Sequence, residues 1–265
     1  MNDEVAFSVD LEPNKDNTLD GVAEAMDWYN EVVPRGTVYA TYRIATELPG
    51  VIERLATDHE IGVHIHPREF GHDHDQFAEL PRERQRELIV ETRQALADAA
   101  GLAQSEVTAF RAGRHSASET TFEVLASLGF KLDASVNVNY TEYLPSEITT
   151  HPGPFELDTG LLELPTTFGR PPFLSRLGFR TIPNRTVTAT ANTLRTDKWA
   201  TTGLDALRWL VDTVSPLSFY MHPYDASGYH TEVTNSGTIF KRRFETLIGD
   251  SGGTFLAASD VRTRE

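Results

Sequence analysis

The chain has 265 residues, of which 39 are acidic and 24 are lysine or arginine, and its net charge is −15. This charge disfavours nucleic acids and anionic membrane surfaces as partners, because proteins bind both through basic surfaces. The sequence contains no cysteine, which excludes disulfides, iron–sulfur clusters and zinc sites built from thiolates, and no stretch is apolar enough to insert into a membrane.

The acidic excess comes with few lysines. Only four residues are lysine, so 20 of the 24 basic residues are arginine. With the absence of cysteine, this favours a protein that works in high salt, where screening weakens self-repulsion, over an ordinary acidic protein of the cytosol. The chain starts Met1-Asn2-Asp3-Glu4 and shows no signal-peptide pattern. We therefore expect a cytoplasmic protein, unless a leader was removed. Whether the protein forms a homo-oligomer is left open.

Short apolar runs alternate with helical patterns along the chain. In chain order they predict strand 5–9, helix 18–33, strand 38–42, helix 48–55, strand 61–66, helix 82–100, strand 107–110, a helix between Ser116 and Gly129, strand 132–138, strand 161–165, helix 204–214, strand 217–221, helix 240–248 and strand 254–258. Residues 139–160 have the composition of a long loop, and residues 166–200 of an irregular excursion over the fold. Whether residues 139–200 form a lid is left open.

The alternation of strands and helices predicts a parallel sheet or barrel of βα units. Five of the apolar runs end in polar or ionisable residues, namely Asp10, His64, Arg111, Glu163 and His222. In βα folds the active site lies at the carboxyl ends of the parallel strands. The sequence therefore predicts that these five side chains point into one mouth.

The chemistry of this mouth follows from residue types and spacing. His64 and His66 are two residues apart on an extended segment, so both rings face one side, and the same holds for Asp10 and Glu12. Two histidines and one carboxylate leave positions open for water and substrate, as in catalytic zinc sites. The second carboxylate would accept the proton of water, and His222 would protonate the leaving group. The same ligand set also serves non-haem iron oxygenases, so that chemistry stays open.

Five motifs carry a resemblance to a known family: residues 7–13 (FSVDLEP), 59–64 (HEIGVH), 110–113 (FRAG), 161–165 (LLELP) and 220–223 (YMHP). In this order, over most of residues 5–260, they resemble the polysaccharide deacetylases (carbohydrate esterase family 4, with the NodB-type homology domain). The resemblance implies a distorted (β/α)-barrel with about seven parallel strands, which we expect to form a single catalytic domain over residues 1–265.

The resemblance also implies metal-dependent hydrolysis of an N-acetyl group on a sugar. Residue by residue, it makes Asp10 the general base and His222 the general acid, and His64 the first metal histidine. Arg111 would orient Asp10 and keep it ionised. Glu163 is expected as a partner of His222 or as a substrate contact.

Two departures from the family pattern concern the metal. The usual second aspartate of the first motif is Leu11 here, so Glu12 would be the carboxylate ligand, as in subfamilies with Asp-x-Glu. The usual second histidine, four residues after His64, is Arg68 here. The second histidine ligand must then be His66, or one of His72 and His74 in a polar loop. A divalent ion is expected, zinc first, with other divalent ions open.

A third departure is Gly113, where the family usually has proline. Arg114 and His115 follow it and are candidates for contact with a charged group of the substrate. We expect a metal-dependent deacetylase of an N-acetylated saccharide, either an oligosaccharide or a small molecule such as a nucleotide- or lipid-linked sugar. Two alternatives stay open. One is a hydrolase of a non-sugar amide such as a cyclic imide or ureide, and the other is a degenerate barrel that only binds glycan.

Overall fold

The computed structural model describes residues 4–172, 186–195, 200–228 and 236–263. The strands in this part are β1 (Glu4–Leu11), β2 (Thr37–Ala40), β3 (Glu60–Ile65), β4 (Ala109–Ala112), β5 (Leu132–Asp133), β6 (Phe155–Glu156), β7 (Leu162–Glu163), β8 (Phe168–Gly169), β9 (Val187–Thr188), β10 (Leu217–Met221) and β11 (Thr254–Phe255). The α-helices are Val22–Val32, Tyr42–Glu47, Pro49–Leu55, Arg82–Ala100, Glu119–Ser127, Ser146–Thr149, Ala191–Arg195, Ala200–Thr213, Pro223–Ser227 and Ser236–Ser251.

The main sheet runs in the order β10-β1-β2-β3-β4-β5-β7-β6. The seven described strands from β10 to β7 in this order are mutually parallel. The strand β6 is antiparallel to β7, and β11 is a parallel neighbour of β1. The sheet curls, because the chain beyond β7 returns to β10, where the Thr167 N–H donates to the Ser218 carbonyl oxygen at 3.1 Å. The predicted α/β fold with about seven parallel strands is confirmed.

Alternation along the strands divides the apolar residues between two faces. In β1, Val5, Phe7 and Val9 pack in the large core between sheet and helices. Ala6 lies on the concave face in a smaller cluster that includes Tyr39. Gly62 makes room for that ring, because a Cβ at this position would lie 2.7 Å from it. Apolar side chains therefore fill the concave face away from the carboxyl ends of the strands, and its polar residues lie at those carboxyl ends.

The predicted elements differ from the structure mainly between residues 132 and 200. Strand 132–138 is reduced to β5, because the Asp133 carboxylate accepts hydrogen bonds from the N–H (2.9 Å) and hydroxyl (2.8 Å) of Ser135 and turns the backbone there. The expected loop 139–160 contains a helical turn, Ser146–Thr149, and β6. The expected excursion 166–200 contains the antiparallel pair β8 and β9, while its residues 173–185 and 196–199 lie outside the described residues.

No helix in the described part of the chain combines the length and the apolar character needed to cross a membrane.

Candidate active site

A cavity of about 570 Å³ opens at the carboxyl ends of the strands. It brings together seven of the residues that the sequence singled out: Asp10, Glu12, His64, His66, Arg114, His115 and His222. Register explains part of this, because His64 of β3 pairs with Arg111 of β4 and both side chains are buried at the same level of the sheet. Residues far apart in the chain therefore share one mouth, as expected for a βα fold.

Glu12, His64 and His66 form a cluster whose potential ligand atoms all lie within 4.8 Å of one another. The Nδ1–H of His64 donates to the Arg111 carbonyl oxygen at 2.8 Å, which leaves the Nε2 lone pair facing Glu12 Oε2 at 3.5 Å. His66 Nε2 lies 2.6 Å from the same oxygen. A carboxylate and two imidazole nitrogens that converge in this way are a donor set for a divalent metal ion.

The surroundings of His66 favour a positive charge at this point. Its Nε2 is buried and, despite the short contact to Glu12, has no partner with hydrogen-bond geometry among the described residues. Burial alone would lower the pKa of His66, but the charges of Glu12 and Asp75 outweigh it and raise the pKa to about 10. Two carboxylates thus stabilise a positive charge here, and a divalent ion would supply that charge. The residues present therefore fit a metal.

The other two histidines that the sequence left open take no part in this cluster. Arg84 Nε donates to His72 Nε2 at 3.2 Å, and His74 lies beside Asp73 and Glu79 at 3.9 and 4.0 Å. Asp75, from the same polar segment, lies 3.6 Å from His66 Nδ1 and is a residue that sequence reasoning missed. The signal was available in principle, because a metal-binding histidine usually gives its second nitrogen to a carboxylate.

Gly113 and His66 fit each other. A Cβ at position 113 would lie 2.9 Å from Cε1 and Nδ1 of His66 and 2.5 Å from the Ile65 carbonyl oxygen. Distances below 3 Å require something to move, and here one of the atoms belongs to the backbone. The glycine that replaces the usual proline therefore provides the space that His66 occupies.

Asp10 is held by a buried arginine. Arg111 Nη1 donates to Asp10 Oδ1 at 2.5 Å and Nε donates to the Ala134 carbonyl oxygen at 3.0 Å, while the guanidinium lies 4.2 Å over the Tyr39 ring. Burial alone would raise the pKa of Asp10, but the charges of Arg111 and of nearby histidines outweigh it and lower the pKa. Asp10 is therefore an ionised carboxylate, as a general base must be.

His222 lies beside the carboxylates of Asp10 and Glu12. Its Nε2 lies 3.9 Å from Asp10 Oδ2 and 3.7 Å from Glu12 Oε1, and its Nδ1 lies 3.4 Å from Asp225 Oδ2. Arg195 Nη1 forms a buried ion pair with Asp225 Oδ1 at 2.8 Å. Burial alone would lower the pKa of His222, but the carboxylates, Asp225 first, raise it. The protonated form that can donate a proton is thereby favoured.

Asp225 and Arg195 are functional candidates that the sequence reading missed. Asp225 stands three residues after His222 and accepts a hydrogen bond from its backbone N–H at 2.8 Å, which caps the helix Pro223–Ser227. The pattern His-Pro-x-Asp was a visible capping signal. Arg195 lay in a segment predicted to be irregular and gave no signal of its own.

Glu163 lies away from the cavity. Its side chain is fully buried, and its Oε1 accepts a hydrogen bond from the Val136 N–H at 3.0 Å. Burial and the neighbouring Asp133 carboxyl raise the pKa of Glu163 well above its usual value. The expected contact between Glu163 and His222 is not formed among the described residues, because Asp225 lies beside the His222 ring instead. Glu163 is also not among the residues that line the cavity.

Arg114 and His115 both have left-handed backbone conformations, with φ of 54° and 56°. His115 is buried, its Nδ1–H donates to the Ser135 carbonyl oxygen at 3.0 Å, and burial lowers its pKa to about 3, so the ring is neutral. Arg114 is exposed and lines the cavity. Non-glycine residues in this conformation cost free energy and tend to cluster at functional sites.

Comparison with known proteins gives a family match for part of the chain. Residues 4–132 match the model of the polysaccharide deacetylase family. A search of curated proteins found no match.

Three solved structures illustrate the likeness of the fold. One is a peptidoglycan N-acetylglucosamine deacetylase, with 13% identity and a TM-score of 0.55, over 98% of this chain and 87% of that chain. The second is a family 4 acetyl xylan esterase from Clostridium thermocellum in complex with a cobalt ion, with 14% identity and a TM-score of 0.54, over 97% and 89%. The third is a CE4 family pseudoenzyme from Bacillus anthracis, with 11% identity and a TM-score of 0.53, over 98% and 65%.

Proposed function

We propose that this chain, whose residues 4–132 match the model of the polysaccharide deacetylase family, is a metal-dependent hydrolase that removes acetyl groups from an N-acetylated saccharide. One observation carries the proposal. Asp10, which Arg111 keeps ionised, and His222, whose pKa is raised, face each other beside the cluster Glu12, His64 and His66 in one cavity. A base, an acid and a donor set for a metal are thus present together.

The first role in the proposed reaction is to hold the metal ion. Glu12, His64 and His66 would hold a divalent ion, zinc first, since one carboxylate and two imidazoles suit it and leave positions open. The chemistry supplied by the bound ion would be a lower pKa of water and a polarised acetyl carbonyl. The cobalt ion in the acetyl xylan esterase supports a metal, and other divalent ions remain candidates.

Proton transfer is assigned to Asp10 and His222. Water adds to the acetyl carbonyl carbon while Asp10 accepts one of its protons. His222 donates the proton on Nε2 to the sugar nitrogen as the C–N bond breaks, which releases acetate and the free amine. Arg111 keeps Asp10 charged and fixed, and Asp225 fixes the ring of His222.

The test is acetate release from N-acetylated chitooligosaccharides by the metal-loaded protein. Asp10→Asn keeps the size of the side chain but removes the base, so we expect turnover to fall by about 10²–10⁴-fold. Asp212→Asn, an exposed change on helix Ala200–Thr213, is the matched control and should leave turnover unchanged. Near-normal turnover of the Asp10→Asn protein would show that this carboxylate is not the base.

A second candidate is a degenerate barrel that binds glycan without hydrolysing it. The pseudoenzyme among the similar structures and the departures at Leu11 and Arg68 favour it. Metal content after a mild preparation separates the two, because a degenerate barrel predicts no stoichiometric divalent ion. Acetate release from saccharides, measured beside ring opening of cyclic imides and ureides, also tests the non-sugar amide alternative.

A further inference from the structure

Tyr140 presents an aromatic ring at the mouth of the catalytic cavity. It is 46% exposed, which makes it one of two large hydrophobic side chains exposed in the described part of the chain. Its ring stacks on His115, with 5.0 Å between ring centroids and an interplanar angle of 28°. Both residues line the cavity that also contains Asp10 and His222. An exposed aromatic ring costs hydration free energy unless a ligand covers it.

Tyr140 is held in place rather than left on a free loop. Its backbone N–H donates to the Asn137 carbonyl oxygen at 2.9 Å, and the Asn137 side-chain oxygen accepts from the Asn139 N–H at 3.0 Å. The Asn137 amide also lies 3.3 Å from His115 Nε2, while His115 Nδ1 is bonded to the Ser135 carbonyl oxygen. The ring beneath Tyr140 is thus fixed through both of its nitrogens, so the stack is preorganised.

Arg114 supplies a cation at the same mouth. It precedes His115 in the chain, its side chain is exposed, and within the described residues no carboxylate pairs with it. Its left-handed φ of 54° is an unfavourable conformation for arginine that the fold nevertheless imposes. In a protein with a net charge of −15, an arginine without a carboxylate partner at the active-site mouth would attract anionic ligands.

We propose that Tyr140 and Arg114 form a substrate subsite, in which a sugar ring stacks on Tyr140 and an anionic group of the substrate binds Arg114. The inference rests on the proposed function and adds a substrate class, an anionic N-acetylated saccharide. The anionic group is a carboxylate or a phosphate, because a guanidinium binds either through two parallel hydrogen bonds. Neutral N-acetylated saccharides use the stacking surface alone and bind more weakly.

The test is calorimetric binding in the Asp10→Asn background, where turnover is suppressed. The three probes are a hyaluronan tetrasaccharide, which carries glucuronate, UDP-N-acetylglucosamine, which carries phosphate, and neutral tetra-N-acetylchitotetraose. At least one anionic probe should bind about tenfold more tightly than the neutral probe, since a charge-assisted hydrogen bond contributes about that much. The probe that shows this preference identifies the anion.

Substitutions assign the effect to the two residues. Arg114→Gln should weaken the preferred anionic probe about tenfold and change the neutral probe at most about twofold, whereas Arg114→Lys keeps most of the preference. Arg86→Gln, a loss of the same charge on helix Arg82–Ala100, should change neither. Tyr140→Ala should weaken the anionic and neutral probes alike, about tenfold, and Tyr140→Phe should keep both because the ring remains.

Equal affinity for neutral and anionic probes would overturn the proposal, as would an Arg114→Gln protein that retains the anionic preference or a Tyr140→Ala protein with unchanged affinities. The proposed function is tested separately, by measuring acetate release from the same probes with the wild-type protein. Charge-selective binding without acetate release would support the subsite and contradict the proposed deacetylase function. Acetate release without charge-selective binding would support the deacetylase function and contradict the subsite.

Discussion

His66 contacts Glu12 because it follows β3 by one residue and keeps the alternation of that strand. The ring centroids of His64 and His66 are 5.0 Å apart, so the two-residue spacing read from the sequence does place both rings on one side. The sequence could not choose among His66, His72 and His74. That choice depends on Asp75, which reaches His66 from a loop, and on Glu12, which directly follows β1.

Metal content should therefore depend on His66. His66→Ala removes one of the three proposed ligands, so we expect the purified variant to lack the stoichiometric divalent ion expected of the wild type, with a Kd at least about tenfold weaker. His72→Ala is the matched control and should keep the ion, because His72 is bonded to Arg84 outside the cluster. Elemental analysis after dialysis measures both. Loss of metal in His72→Ala with retention in His66→Ala would reverse the assignment.

Metal affinity should also depend on Gly113, which lies against His66. In Gly113→Ala the new methyl group would press on the His66 ring and the Ile65 carbonyl oxygen, so we expect metal affinity to fall by about 10–100-fold, as when the residues that orient a metal ligand are changed. Gly50→Ala, whose Cβ would meet only a flexible arginine at 3.9 Å, is the control for a generic glycine substitution. Competition with a chelator gives the two affinities. Equal affinities would show that Gly113 is not needed for the position of His66.

At the scale of elements, the short helix Pro223–Ser227 fixes His222. The helix begins at the proline that follows this histidine, and Asp225 both caps it and lies beside the imidazole. Asp225 is in turn paired with Arg195 from helix Ala191–Arg195, which is distant in sequence. Two short helices thus meet behind the proposed acid, and a buried ion pair joins them.

This ion pair makes a stability prediction. Asp225→Asn leaves the Arg195 guanidinium buried, with 6% side-chain exposure, and without a charged partner. We expect a loss of about 3–5 kcal/mol in the free energy of unfolding, because the remaining charge is desolvated without compensation. The double variant Arg195→Met/Asp225→Asn should recover more than half of that loss. Urea denaturation provides the values, and additive effects of the two changes would argue against the pairing.

At the scale of the whole molecule, stability should depend on pH through buried histidines outside the cavity. His59 is 4% exposed, neither of its ring nitrogens has a hydrogen-bond partner in the described part of the chain, and its ring packs against Tyr29 at 5.1 Å. Burial lowers the pKa of His59 to about 4 from the ordinary 6.5. The unfolded chain therefore binds a proton between these pH values that the folded protein excludes.

The sign follows from this difference in proton binding. As the pH falls from about 6.5 to 4, His59 should contribute a loss of up to about 3 kcal/mol in the free energy of unfolding. His59→Gln is neutral throughout, so the stability of this variant relative to wild type should rise over the same range. Urea denaturation at pH 7 and pH 5 measures the difference. Parallel pH curves for the two proteins would contradict the prediction.

The amino-acid sequence by itself determined the alternation of strands and helices, the helix at residues 82–100, and the placement of Asp10, Glu12, His64, Arg111 and His222 at strand ends. These features could be predicted because apolar periodicity and strand termini are local properties of the chain. The motifs up to residue 113 lie in the part of the chain that matches the polysaccharide deacetylase family model, residues 4–132.

Only the tertiary structure showed which histidine lies beside His64 and Glu12, which atoms a side chain at position 113 would meet, which carboxylate lies beside His222, and that Glu163 is buried outside the cavity lining. It also brought Tyr140 onto His115. Each of these depends on contacts whose distances are set by the curl of the sheet and the packing of loops above it. Spacing along the chain carries no information about such contacts, because they join residues that come close only after folding.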